Sequence, residues 1–314
     1  MSGHARTDRT PSRTVLILCL GGAVVLWGTS FPAAKIALAG FPPMALVFLR
    51  MAVATALMLP FVGRIRKARY HKGDWKWLVL IGLFEPCLYF VFEMNALRFT
   101  TASQAGVISA MAPLLVAVGA RIFLSEELSL RTVSGLALSL AGVTALSLGA
   151  RTFETAPAPV LGNALELTAM VCAAGYFIVL RHLTSRYDPW FVTGVMNLSG
   201  LIFFLPGALL SDPRTWLAAS PQAWLAVAYL GAFVTLGAIG LYNLAASHLP
   251  AARAAISINL VPFAAVASSW LLLGERLTPL QVVGGLVIVG GVFLGESKPK
   301  RRERLAEEPA LEEA

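Results

Sequence analysis

Ten apolar stretches, separated by short polar connections, occupy almost the whole chain. They run over about 15–37, 42–63, 75–97, 101–124, 130–149, 160–182, 189–209, 222–245, 250–273 and 278–296. Each matches the ~20 mostly apolar residues that a helix needs to cross a hydrocarbon core roughly 30 Å thick. Ten membrane-spanning helices are therefore predicted, joined by short loops. Several open on helix-start chemistry. Thr278-Pro279-Leu280-Gln281 offers an N-cap, a proline in the first turn and a capping-box glutamine, and Ser129 stands at the matching place earlier in the chain. Pro86, Pro113 and Pro262 fall inside apolar stretches, where the lost backbone donor kinks or breaks a helix.

The pattern occurs twice. A shift of 149 positions sets Ala105 on Ala254, Pro113 on Pro262, Leu124 on Leu273, Glu126 on Glu275 and Gly135 on Gly284. The same shift sets Trp75 on Trp224 and Gly82 on Gly231, and further upstream a shift of 146 sets Pro43 on Pro189. So long a period implies two copies of one half-protein rather than a short-repeat solenoid. Five spans per copy is an odd number, so the second copy enters the membrane upside down, an architecture common among secondary transporters. With the N-terminus in the cytoplasm, 19 lysines and arginines fall in inside segments against four outside, at Arg98, Arg151, Arg214 and Arg276. The fold class expected is an all-α membrane protein: ten transmembrane helices as two inverted five-helix repeats, both termini cytoplasmic. The parts are an N-terminal tail (1–14), the first repeat (15–149), an extracytoplasmic linker (150–159), the second repeat (160–296) and a disordered cytoplasmic tail (297–314).

Composition agrees with a membrane protein: 57% of the 314 residues are hydrophobic and 13% charged, against about 25% charged in an ordinary soluble domain. The net charge of +8 is confined to certain loops and makes no nucleic-acid face. Arg6, Arg9 and Arg13 precede an apolar run, as in a secretory signal, but the run continues from Val15 to Ala34 and reads as the first span. Cys19, Cys87 and Cys172 sit inside apolar runs as small packing residues. There is no Walker-type phosphate loop, G-x-S-x-G elbow or H-E-x-x-H, and the four histidines are placed in tails or loops. An enzyme, a metal site and a cofactor are not expected. Trp75, Trp77, Trp190, Trp216 and Trp224, at span ends, read as interfacial anchors. Gly284-Gly285 and Gly290-Gly291, with Gly135 and Gly142, read as close helix packing.

Ionisable residues at membrane depth need a partner, a water-filled cavity or a function. Glu85 lies about 15 Å into the third span at 1.5 Å per residue, and Glu85, Tyr89 and Glu93 share one helix face, with Asn95 close by. Glu85 is either a site for a substrate amine or a proton, or half of an internal ion pair with Arg50 or Lys35. Arg50 suits a substrate carboxylate, but a structural salt bridge is the favoured reading. Lys35 is near the end of its helix and is expected to snorkel to the interface. Lys35, Arg50 and Glu93 together are candidates for an ion pair or gate. Glu166 is placed in the outer part of the sixth span, its role open. Ser257 and Asn259 would hydrogen-bond a substrate or join helices.

Trp27-Gly28 followed by Lys35, Arg50 in the next span, and the paired endings Leu124-Ser125-Glu126-Glu127-Leu128 and Leu273-Gly274-Glu275-Arg276-Leu277-Thr278-Pro279 resemble the EamA-type drug/metabolite transporter superfamily. The resemblance covers residues 15–296. Within it the chain looks most similar to bacterial aromatic amino-acid exporters of the YddG type. This implies a multi-pass carrier of the bacterial inner (plasma) membrane, without a cofactor, that exports amino acids, aromatic or large and neutral, by alternating access. It further implies a central cavity lined by the first, third, fourth, sixth, eighth and ninth spans, where Trp27, Tyr89 and Tyr176 would face the substrate. The partners implied are a small-molecule substrate and the bilayer, with no nucleic acid, for a monomer with a dimer left open. A carrier of the same fold for another metabolite or drug, or a non-transporting scaffold, are the alternatives.

Overall fold

The computed structural model describes residues 12–65, 70–125, 127–150, 156–184, 186–246 and 257–296. The expectations placed on Glu126, Arg151 and Arg253, and most of both tails, lie outside them. Among the described residues every element is a helix. Eight are long and apolar enough to cross a membrane: α1 (Arg13–Leu38), α2 (Pro43–Phe61), α3 (Trp75–Phe99), α4 (Ala102–Phe123), α5 (Leu130–Leu148), α6 (Pro159–Thr184), α7 (Pro189–Leu209) and α8 (Pro221–Tyr242). Two shorter apolar helices follow, α9 (Val261–Leu273) and α10 (Pro279–Glu296). Large apolar side chains point outward, with Phe123 74% and Leu271 75% exposed, a surface suited to lipid rather than water.

Local chemistry starts and stops these helices. Ser12, Thr101, Ser129, Asp188 and Ser220 each accept a hydrogen bond from a backbone N–H of the helix they begin. The expected capping box forms at α10: the Thr278 amide donates to Gln281 Oε1 at 2.8 Å and the Gln281 amide to Thr278 Oγ1 at 3.3 Å. The helices before α5 and α10 end on left-handed residues, Ser125 (φ 55°) and Gly274 (φ 66°), which coincide under the 149-residue shift. Only Gly274 adopts that conformation without a Cβ penalty.

Two spans are distorted at mid-depth. In α3 the segment Leu83–Leu88 winds in wider π-type turns and Glu85 is extended (φ −141°, ψ 122°), where Pro86 foretells a kink. In α8 a similar segment, Leu230–Ala238, contains no proline and was not expected. There Thr235 Oγ1 donates to the Leu230 carbonyl at 2.9 Å. Pro113 and Pro262 both stand in the first turn of a helix, in α4 after the tighter turn Ser109–Met111 and at the start of α9. His182, expected in a loop, lies in the last turn of α6 against Trp77, ring centroids 4.5 Å apart.

α5 and α10 form the closest helix pair. A Cβ on Gly135 would lie 2.3 Å from the Gly291 carbonyl, and one on Gly142 would lie 2.7 Å from the Gly284 carbonyl. As the number rises on α5 it falls on α10, so the helices run antiparallel. Each contact also maps onto the other when the two halves are exchanged. Ser139 Oγ donates to the Ile288 carbonyl at 3.0 Å in the middle of the seam. The neighbouring glycines do not share this role: Gly290 has nothing within 4 Å and Gly285 only ordinary contact with Val107. Gly291→Val should therefore cost about 1–3 kcal/mol through overpacking and lower the thermal midpoint in detergent. Gly290→Ala should be neutral or stabilising. Equal losses at both positions would contradict this seam.

Candidate functional site

A cavity of about 130 Å³ lies where the two distorted segments meet, with room for about four waters at ~30 Å³ each. α1 contributes Trp27 and Ser30; α2 contributes Arg50; and α3 contributes Glu85, Tyr89 and Glu93. Across from them stand Met196 and Asn197 of α7 and Val234, Thr235 and Ile239 of α8. Opposite walls correspond under the sequence shifts: Arg50 with Met196 and Met51 with Asn197 at 146, Glu85 with Val234, Pro86 with Thr235 and Phe90 with Ile239 at 149.

Arg50 is 6% exposed, yet its guanidinium is not neutralised by a direct ion pair. Its Nε donates to Thr235 Oγ1 at 2.8 Å, and the group lies over the Phe90 ring, 4.4 Å from the centroid, a cation–π contact. Among the described residues it makes no salt bridge with Glu85 or Glu93, although both are within electrostatic reach. The expected structural salt bridge is therefore replaced by a hydroxyl and a ring, and the cation keeps further donors facing the cavity. Glu93, 4% exposed, accepts from Tyr89 Oη at 2.6 Å. Glu85 is half-buried on the extended residue of the kink and keeps its carboxylate at the cavity wall. An aromatic wall is completed by Trp27, which packs on Tyr242 at 5.3 Å.

Not every expected residue is here. Tyr176 sits beside the site, within electrostatic reach of Glu85, in a cluster with Ile81 and Val179. Ser257 and Asn259, just before α9, do not line the cavity, and Asn95 turns away to donate to the Val91 carbonyl. The second and seventh spans take the places expected for the fourth, sixth and ninth. Asn197, Thr193 and Thr235 also line the cavity, and nothing local in the sequence separates them from neutral polar residues such as Asn259 that do not.

Lys35 corrects another expectation. Instead of snorkelling outward it donates to the Leu97 carbonyl at 2.7 Å and to the Thr100 carbonyl, capping the C-terminal end of α3. One turn of chain later, Glu275 caps the start of α4: Oε1 accepts from the Ala102 amide at 3.0 Å, and Oε2 from the Ser103 amide at 2.8 Å and its hydroxyl at 2.6 Å. Lys35 and Glu275 attract each other across this corner. A pocket of about 500 Å³ lined by Thr101, Gln104, Glu275 and Gln281 adjoins it.

Comparison with known proteins finds relatives along the whole length of this fold. A family model described as "EamA-like transporter family" matches residues 14–148 and again 160–295. The uncharacterized transporter YetK of Bacillus subtilis (strain 168) is 25% identical over 94% of this chain and 89% of its own. A protein of Streptantibioticus cattleyicolor described as a "Probable terminal-alkyne amino-acid exporter" is 28% identical over 95% of this chain and 98% of its own. A crystal structure aligns with 94% of this chain and 100% of its own, at 25% identity and a TM-score of 0.60.

The corner clamp carries a prediction. Glu275→Ala removes a charged acceptor from three donors and should cost about 2–3 kcal/mol in thermal unfolding in detergent. Lys35→Met should cost less. The double variant should lose less than the sum, since the groups act on one corner; strictly additive losses would show that they do not.

Proposed function

The chain belongs to the EamA-like transporter family, a multi-pass membrane protein, and on that premise we propose that it is a secondary carrier exporting amino acids across a bacterial inner membrane. The observation that carries this reading is one cavity in which a cation with unspent donors, Arg50, faces a carboxylate, Glu85, beside aromatic rings. A zwitterion is the complement of that pair: its carboxylate meets Arg50, its ammonium meets Glu85, and its side chain lies against Trp27 and Tyr89. The aromatic wall favours aromatic or large neutral side chains, as in exporters of the YddG type. The relative described as an amino-acid exporter supports the class. The chain acts as a carrier and not as an enzyme.

The reading includes ten spans in two inverted repeats, with both termini cytoplasmic. Two matches of one family model, the exchange-symmetric antiparallel glycine contacts and the excess of basic residues in the inside segments support it. Inverted halves can trade conformations, which opens the cavity to either side in turn. The clamp of Lys35 and Glu275 then lies at the outer end.

Efflux of preloaded, labelled phenylalanine, threonine and glutamate from proteoliposomes tests the proposal. Phenylalanine should leave fastest and glutamate should be excluded. Arg50→Lys and Glu85→Gln should each raise the half-saturating concentration about tenfold or more, equivalent to about 1.4 kcal/mol. Movement of none of the three by the wild type would sink the amino-acid reading.

A further inference from the structure

Among the described residues, Glu166 is a fully buried acid that the substrate cavity does not explain. It lies in α6, 0% exposed, and neither carboxylate oxygen has a hydrogen-bond partner. Burying an ionised carboxylate in that way costs several kcal/mol. The charged group that acts on it is Glu93, a like charge. α3 presents Glu93 and Tyr89 to it, and a turn earlier on α6 Asn163 donates to two neutral groups, Gln104 of α4 and Ser147 of α5. Arg50 acts on Glu93 from the cavity side. Two like charges within electrostatic reach in an apolar interior repel, and a proton bound at Glu166 removes both that repulsion and the cost of its burial.

The pair is also placed between two water-accessible spaces. Glu93 lines the central cavity. Asn163, one turn from Glu166 on the same helix face, donates from Nδ2 to Gln104 Oε1 at 2.9 Å. Gln104 in turn lines the pocket at the far end of the bundle. Buried polar side chains therefore run from the cavity through Glu93, Glu166 and Asn163 to that pocket, beside the route of the substrate.

We propose that Glu166, set behind the cavity-lining Glu93, is a proton-binding site that takes a proton from the outer pocket past Gln104 and Asn163 and releases it by way of Glu93 to the cavity when that faces inward. One O–H bond forms on the pair as a hydronium ion of the pocket gives up its proton, and the same bond breaks to water on the inner side. The coupling to export rests on the carrier reading above; the proton site itself does not.

The test has two arms. Full-length protein in lipid nanodiscs, without substrate, should show the infrared carbonyl band of a protonated carboxylic acid near neutral pH. That band should weaken in Glu166→Gln and persist in Glu85→Gln. An identical band in wild type and Glu166→Gln would overturn the site. In proteoliposomes with the membrane potential clamped, an acid exterior should accelerate efflux by wild type. Glu166→Gln should still exchange labelled for unlabelled solute but lose the acceleration, and Glu166→Asp should recover part of it. Full acceleration in Glu166→Gln overturns the coupling. If wild type moves no amino acid, the substrate reading fails and the infrared arm alone decides the proton site.

Discussion

A polar group inside a bilayer must find its partner within the protein, and most of this architecture can be traced to how a few charges do so. Arg50 is held by Thr235 and by the face of Phe90, which ties α2 to α8 and α3. Lys35 and Glu275 turn to helix ends, where backbone carbonyls and amides have no intrahelical partners. That exchange satisfies two side chains and two helix termini at once. It also binds α1 and the segment after α9 to the α3–α4 corner.

The remaining contacts are made by absence of side chains. Lipid gives no hydrophobic reward for bringing α5 to α10, so close backbone approach must supply the attraction through dispersion and short polar contacts. The glycine pairs and the Ser139 hydroxyl do this along one seam. Between α2 and α7 the close approach pairs a glycine with a methionine instead, Gly207 with Met44 and Gly200 with Met51.

The helices were legible in the sequence because their cause is local: length, hydropathy and caps. α7 begins and ends where the apolar run does, and the capping box of α10 forms as written. Pro86 announced the kink in α3 and so drew attention to Glu85. The π-type winding of α8 had no such mark, since Thr235 and two glycines within Leu230–Ala238 look like any membrane helix. Partners separated by scores of residues were not legible either. Nothing near Lys35 in sequence points to Leu97, and nothing near Arg50 points to Thr235. The sequence motif around Glu275 was visible as a signature, while its task, capping a helix of the other half, required the fold.

In the proposed amino-acid carrier, the corresponding positions that face the cavity account for recognition of an asymmetric solute. The shifts bring Met196 opposite Arg50 and Val234 opposite Glu85, so the charges come from one half and their counterparts are apolar. Had both copies kept the charge, two arginines and two glutamates would face one small space, and a zwitterion would have two equal orientations. With one of each, the proposed zwitterion has a single orientation. The second half then supplies what the first lacks: Thr235, at the position of Pro86, gives the hydroxyl that holds Arg50. Both halves distort their helix at the same depth, and the chemistry carried on the two distortions is complementary instead of duplicated.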